Sequence, residues 1–141
     1  MDNMKIFVDT NVLLDVLLKR EAHYHPSSQV WSLARNRVLE AHISAVSLPN
    51  LYYIVSRLKN TETGGKFVDA VLEDFNIVPL TAEVIHQART LRRGDLEDHI
   101  QYFSAIHAGC EYLLTRNKKD FPKTGIQLKT PKEFLKTVWR G

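Results

Sequence analysis

At 141 residues, 44% of them hydrophobic and 25% charged, the chain is the size of one domain (residues 1–141) able to bury a substantial core. Its single cysteine excludes an internal disulfide framework and suits a reducing cytoplasm; the absence of long apolar runs or a signal-peptide pattern argues against a membrane role. A net charge of +3, from 19 Lys and Arg against 16 Asp and Glu, allows contact with a polyanion without demanding it.

In chain order, Ile6 to Val8 is an apolar run ending in Asp9, and a helical pattern (Val12, Leu13, Val16, Leu17) follows at once. Lys5–Asp9 therefore reads as a buried parallel strand and Val12–Lys19 as a helix. Pro26–Val38 reads as a second helix, with Pro26 suited to its first turn. The strand Ala41–Ala45 and the helix Leu48–Leu58 come next. Gly64 and Gly65 should break the chain before a helix over Phe67–Phe75, ahead of a strand at Ile77–Leu80. Thr81 caps a helix to Leu91, Asp95–Cys110 forms another, and strands at Tyr112–Thr115 and Ile126–Leu128 precede a last helix, Pro131–Trp139. Strands alternating with helices predict one three-layer α/β/α domain around a parallel sheet.

Acidic residues gather where this architecture converges them. Asp9 closes the first strand, and a carboxylate there is costly unless solvated, paired or holding a cation. The competing reading is a helix cap, for which Thr10 and Asn11 are also available. Asp95, Glu97 and Asp98 open a helix whose Ala105, Ala108 and Gly109 can press on a sheet, and a polar turn, Thr115 to Asp120, follows the fourth strand. If strands one and four are neighbours, these groups share a cleft at the carboxyl edge of the sheet. Acids crowded together repel one another, and Mg²⁺ or Mn²⁺ relieves that repulsion through oxygen ligands and retained waters. The cations Arg116, Lys118, Lys119 and Lys123 beside this turn suit phosphate contact. Arg89, Arg92 and Arg93 at a helix end have a plainer explanation in the helix dipole.

Other residues read as structural. Cys110 lies among small residues as a core side chain, and His23-Tyr-His25 reads as a solvated loop. Tyr52 and Tyr53 are adjacent on a helix, so one must face away from the core; packing or a subunit interface is favoured over base stacking.

Three stretches together resemble the PIN-domain family, the fold of VapC-type toxin ribonucleases: F-V-D-T-N-V-L-L-D at the start, I-S-A-V-S-L-P-N-L-Y-Y-I near position 50, and the segment from Asp95 to Phe121. The resemblance spans nearly the whole chain. It implies a parallel five-stranded sheet in order 3-2-1-4-5 and an acidic Mg²⁺ or Mn²⁺ site that hydrolyses RNA phosphodiesters. Position by position, Asp9 matches the first acid and Asp98 the third, and Asn117 and Asp120 fall in the motif of the last acid. Thr10, Asn11 and Thr115 match the polar lining of the cleft, and Arg116, Lys118 and Lys119 are the expected RNA contacts. The expected partners are RNA, an antitoxin protein and a second copy of the chain. One departure stands out: the family's second acid is here Asn50, an uncharged amide, for which Glu97 or Asp95 could compensate. That departure keeps open an alternative, a degenerate PIN module that binds RNA or a protein without cutting. Rival patterns fail. A haloacid dehalogenase needs an acid where Asn11 stands, a receiver domain needs an Asp closing its third strand, and no Walker or G-x-G-x-x-G loop is present.

Overall fold

A computed structural model describes residues 3–123 and 125–139. The strands are β1 (Lys5–Val8), β2 (Glu40–Ser44), β3 (Asn76–Val78), β4 (Tyr112–Leu114) and β5 (Gln127–Lys129). They form one parallel sheet in the order β3-β2-β1-β4-β5, as the alternation of elements and the family resemblance predict. β1 is the central strand because Ile6, Phe7 and Val8 are all apolar and all buried. Alternation along it divides the core. Ile6 and Val8 join Leu13, Trp31, Leu51, Val55 and Phe134 on one face, while Phe7 joins Leu113, Tyr102 and Ala105 on the other.

The helices are α1 (Thr10–Leu17), α2 (Tyr24–Arg35), α3 (Ser47–Leu58), α4 (Thr61–Asp74), α5 (Ala82–Thr90), α6 (Leu96–His107) and a short α7 (Pro131–Glu133) that continues as a π turn over Phe134–Val138. Three expectations need correction. Gly64 and Gly65 do not break the chain: the Asn60 side chain accepts from Thr63 N–H at 2.8 Å and α4 runs through both glycines. Gly64 is required for close approach, since a Cβ there would stand 2.5 Å from Ser56 Oγ on α3. His25 lies in the first turn of α2 rather than in a loop. Neither Tyr52 nor Tyr53 is a core residue, both being well exposed on α3. Among the described residues, no helix is long and apolar enough to cross a membrane.

Two buried acids that the sequence reading passed over are structural. Asp74 accepts from Trp31 Nε1 at 2.6 Å and from Arg35 Nε at 3.2 Å, tying α4 to α2. Asp15, fully buried on α1, meets Arg116 Nε at 2.7 Å and Arg20 at 3.4 Å. A buried carboxylate needs such partners, and removing one leaves an uncompensated charge.

Candidate metal centre

The site lies at the carboxyl edge of the sheet where the chain reverses direction. β1 pairs with β2 on one side and β4 on the other, so a crevice opens beyond the end of β1. Asp9 is the first residue past that strand. Its backbone N–H still bonds Leu114 O at 3.0 Å, extending the ladder, and its C=O accepts from Val12 N–H to begin α1. Asp9 does stand at the N-cap position of α1, but the hydrogen bonds that fix its side chain run to Gln101 and Thr115, and the Asn11 backbone N–H is only a smaller influence.

That side chain is 2% exposed and held from two directions. Gln101 Nε2 donates to Oδ1 at 3.1 Å, and Thr115 Oγ1 donates to Oδ2 at 2.8 Å. Gln101 also accepts from Thr10 N–H at 3.1 Å, so one amide on α6 fixes both residues that follow β1. Burial pushes the Asp9 carboxyl above its ordinary value, while Thr115, Gln101, the Asn11 backbone N–H and the Arg116 charge pull it back. Gln101 was missed in the sequence reading. The signal that could have found it is a polar residue at Asp98 plus three, on the α6 face that otherwise buries Tyr102 and Ala105.

Asp9, Thr10, Asn11, Asn50, Glu97 and Asp98 line one cleft of about 430 Å³. Glu97 accepts from the Asn50 side chain and from Thr10 Oγ1 at 3.2 Å, and Thr10 Oγ1 also meets Ser47 Oγ at 2.6 Å. Position 50 is thus uncharged, but a carboxylate reaches the same spot from α6. Burial and the nearby Asp9 and Asp95 raise the Glu97 carboxyl, although Asn50 and Thr10 oppose them. Asp95 caps α6 by accepting from Asp98 N–H at 3.1 Å. Asp98 is pushed up to about 7, first by burial and then by Asp9, Asp95, Asp120 and Glu97. Asp120 stands in the exposed turn Lys118–Asp120 and borders Asp98 from a second, adjoining cleft. Asn117 is linked to the centre through its backbone N–H, which donates to Thr115 Oγ1 at 3.1 Å.

The cations divide. Arg116 is turned inward onto Asp15, and Lys118 bonds Glu133 at 2.8 Å, so neither is the free phosphate contact its position in the sequence suggests. Lys119 is exposed. Cys110 is partly buried against the apolar cluster of Phe7 and Leu113, its thiol pushed up to about 12 by burial, as suits a packing side chain.

The donor set fits a hard divalent cation. Its atoms are carboxylate and amide oxygens, and the charge on Asp98 is opposed by burial and by four neighbouring acids. Among the described residues no three acidic, His or Cys side chains form a ready-made cage, so such an ion would keep several waters, as Mg²⁺ commonly does.

The model of the PIN domain matches residues 5–119. The chain belongs to the PIN-domain family. This PIN domain is 27% identical over 139 residues to Ribonuclease VapC1 of Aquifex aeolicus (strain VF5), covering 95% of each chain. Its fold is also that of a chain of VapBC from Salmonella typhimurium crystallised with DNA, at a TM-score of 0.70 and 16% identity, covering 91% of this PIN domain and 98% of that chain. A chain of VapBC2 from Rickettsia felis, bound to a promoter DNA fragment, gives a TM-score of 0.65 and 22% identity over 90% and 98% of the two chains.

Proposed function

We propose that this PIN domain is a divalent-metal-dependent endoribonuclease, the toxin half of a toxin–antitoxin pair, acting in the cytoplasm as a single domain that pairs with a second copy and with an antitoxin protein. The observation that carries the reading is the juxtaposition of Asp9, Asp98 and Glu97 around one cleft at the carboxyl edge of the sheet. The ribonuclease relative that aligns over nearly the full length supports it, and so do the VapBC neighbours for the antitoxin partner.

In this reading Asp9 and Asp98 hold Mg²⁺ or Mn²⁺, with Asp120 approaching from the far side of Asp98. Glu97 supplies the negative charge that Asn50 lacks. The ion, when bound, lowers the pKa of a coordinated water and offsets charge building on the phosphate. Gln101 and Thr115 keep the Asp9 oxygens in one orientation, and Asn117 fixes the Thr115 hydroxyl through its backbone. Thr10 and Asn11 line the same cleft beside these acids.

Asn50 favours a second reading, a module that binds RNA without cutting. Single-stranded RNA incubated with Mn²⁺ and either wild type or Asp98→Asn separates the two. Cleavage by wild type alone supports the enzyme. Equal cleavage in both lanes means a contaminating nuclease and removes the support, and none in either favours the module.

A further inference from the structure

We infer that the cleft adjoining the acid cluster, rimmed by Arg92, Arg93 and Lys119, holds the backbone of the single-stranded RNA on one side of the phosphate to be cut. This deepens the ribonuclease reading and rests on it. The cleft measures about 780 Å³ and shares Asp95 and Asp98 with the cleft of Asp9. A strand lying at the acids therefore continues into it without leaving the surface.

Helix-dipole pairing does not account for its two arginines. α5 ends at Thr90, and Arg89 is the cation of its last turn. Arg92 and Arg93 lie beyond, in the loop that returns the chain to α6. Gly94 makes that return at φ +95°, and a Cβ there would come within 3.0 Å of His99 Nε2. The loop conformation that carries both arginines to the rim of the cleft thus depends on a glycine.

Charge points to the occupant. Arg116 and Lys118, the other cations beside the acids, are taken up by Asp15 and Glu133. Arg92, Arg93 and Lys119 are exposed, and among the described residues none of the three makes an ion pair. Leu91, Phe121 and Pro122 add apolar lining. Guanidinium and ammonium groups over an apolar wall suit phosphates whose ribose or base lies against that wall.

The test measures binding of a fluorescent single-stranded RNA, across a KCl series with Mn²⁺, in an Asp98→Asn background. The Arg92→Ala/Arg93→Ala variant should weaken binding and lower the salt slope by about 1.4, at roughly 0.7 per phosphate contact. A control removing two exposed charges, Lys59→Ala just past α3 and Lys66→Ala on α4, should keep the parent slope. Should the Ala pair fail to fold, Arg92→Gln/Arg93→Gln is read by the same criterion. In the active chain, loss of the arginines should raise KM more than it lowers kcat. A slope no lower than the control's overturns the assignment. Because binding is read without cleavage, a protein that never cuts RNA sinks the enzyme reading alone, and an unaltered slope in a protein that does cut sinks only this one.

Discussion

Asp98→Asn should stabilise the metal-free protein at alkaline pH, and the size of the gain follows from the crowding of acids. In the fold Asp98 is held up to about 7, whereas an unfolded Asp titrates near 4. Because the folded value is the higher one, the contribution of this group to stability is full below about pH 4 and is lost as pH rises through about 7. A displacement of that size corresponds to ~4 kcal/mol of preference for the neutral acid. Asp98 is only half-buried, and solvent screening reduces this to about 1–2 kcal/mol. With an unfolding entropy of about 2.1 cal/mol/K per residue, that is roughly 3–7 °C in Tm. The assay is thermal unfolding in EDTA at pH 4 and pH 8 for wild type and Asp98→Asn. The variant should melt about 3–7 °C higher at pH 8 and level with wild type at pH 4. Millimolar Mn²⁺ at pH 8 should erase or reverse the gap, since a cation bound only by the native wild type adds stability, about 2.7 kcal/mol at a hundred times its Kd. A gap of equal size at both pH values would mean that carboxylate repulsion is not its source.

Asn50→Asp should act with opposite sign in the two metal states: it removes the amide that donates to Glu97 and sets a second carboxylate beside it, lowering Tm in EDTA at pH 8. In Mn²⁺ the same charge becomes a ligand, and calorimetry should show Kd tighter by roughly tenfold, or 1.4 kcal/mol; unchanged values in both states would remove position 50 from the centre. Gln101→Leu removes the donor to Asp9 Oδ1 and the acceptor of the Thr10 N–H in a buried site, which should cost about 2–5 kcal/mol in urea unfolding and lower RNA cleavage at least tenfold. A loss within measurement error would show that Asp9 does not depend on this amide for its orientation.

Local patterns were sufficient for the sheet and for its first acid. An apolar run closing in Asp9, with helical spacing directly behind it, reports burial on both faces and a helix start, both properties of neighbouring residues. Strands alternating with helices left few topologies, and the observed order is the expected one. Boundaries moved by a few residues, and α4 was misread because Gly64 looks like a break until Ser56 of α3 is seen packed against it.

What only the tertiary structure decided is which polar group meets which across the sheet. Gln101 reaches Asp9 over 92 positions, Thr115 reaches it over 106, and Arg116 spends its charge on Asp15 rather than on solvent. No spacing rule links such partners, because a buried polar group must be satisfied by whatever the fold brings within about 3 Å, at any distance along the chain. The sequence by itself therefore determined that acids converge at the end of β1. The packing of α6 and of the turn after β4 decided which side chains orient them and which cations remain exposed.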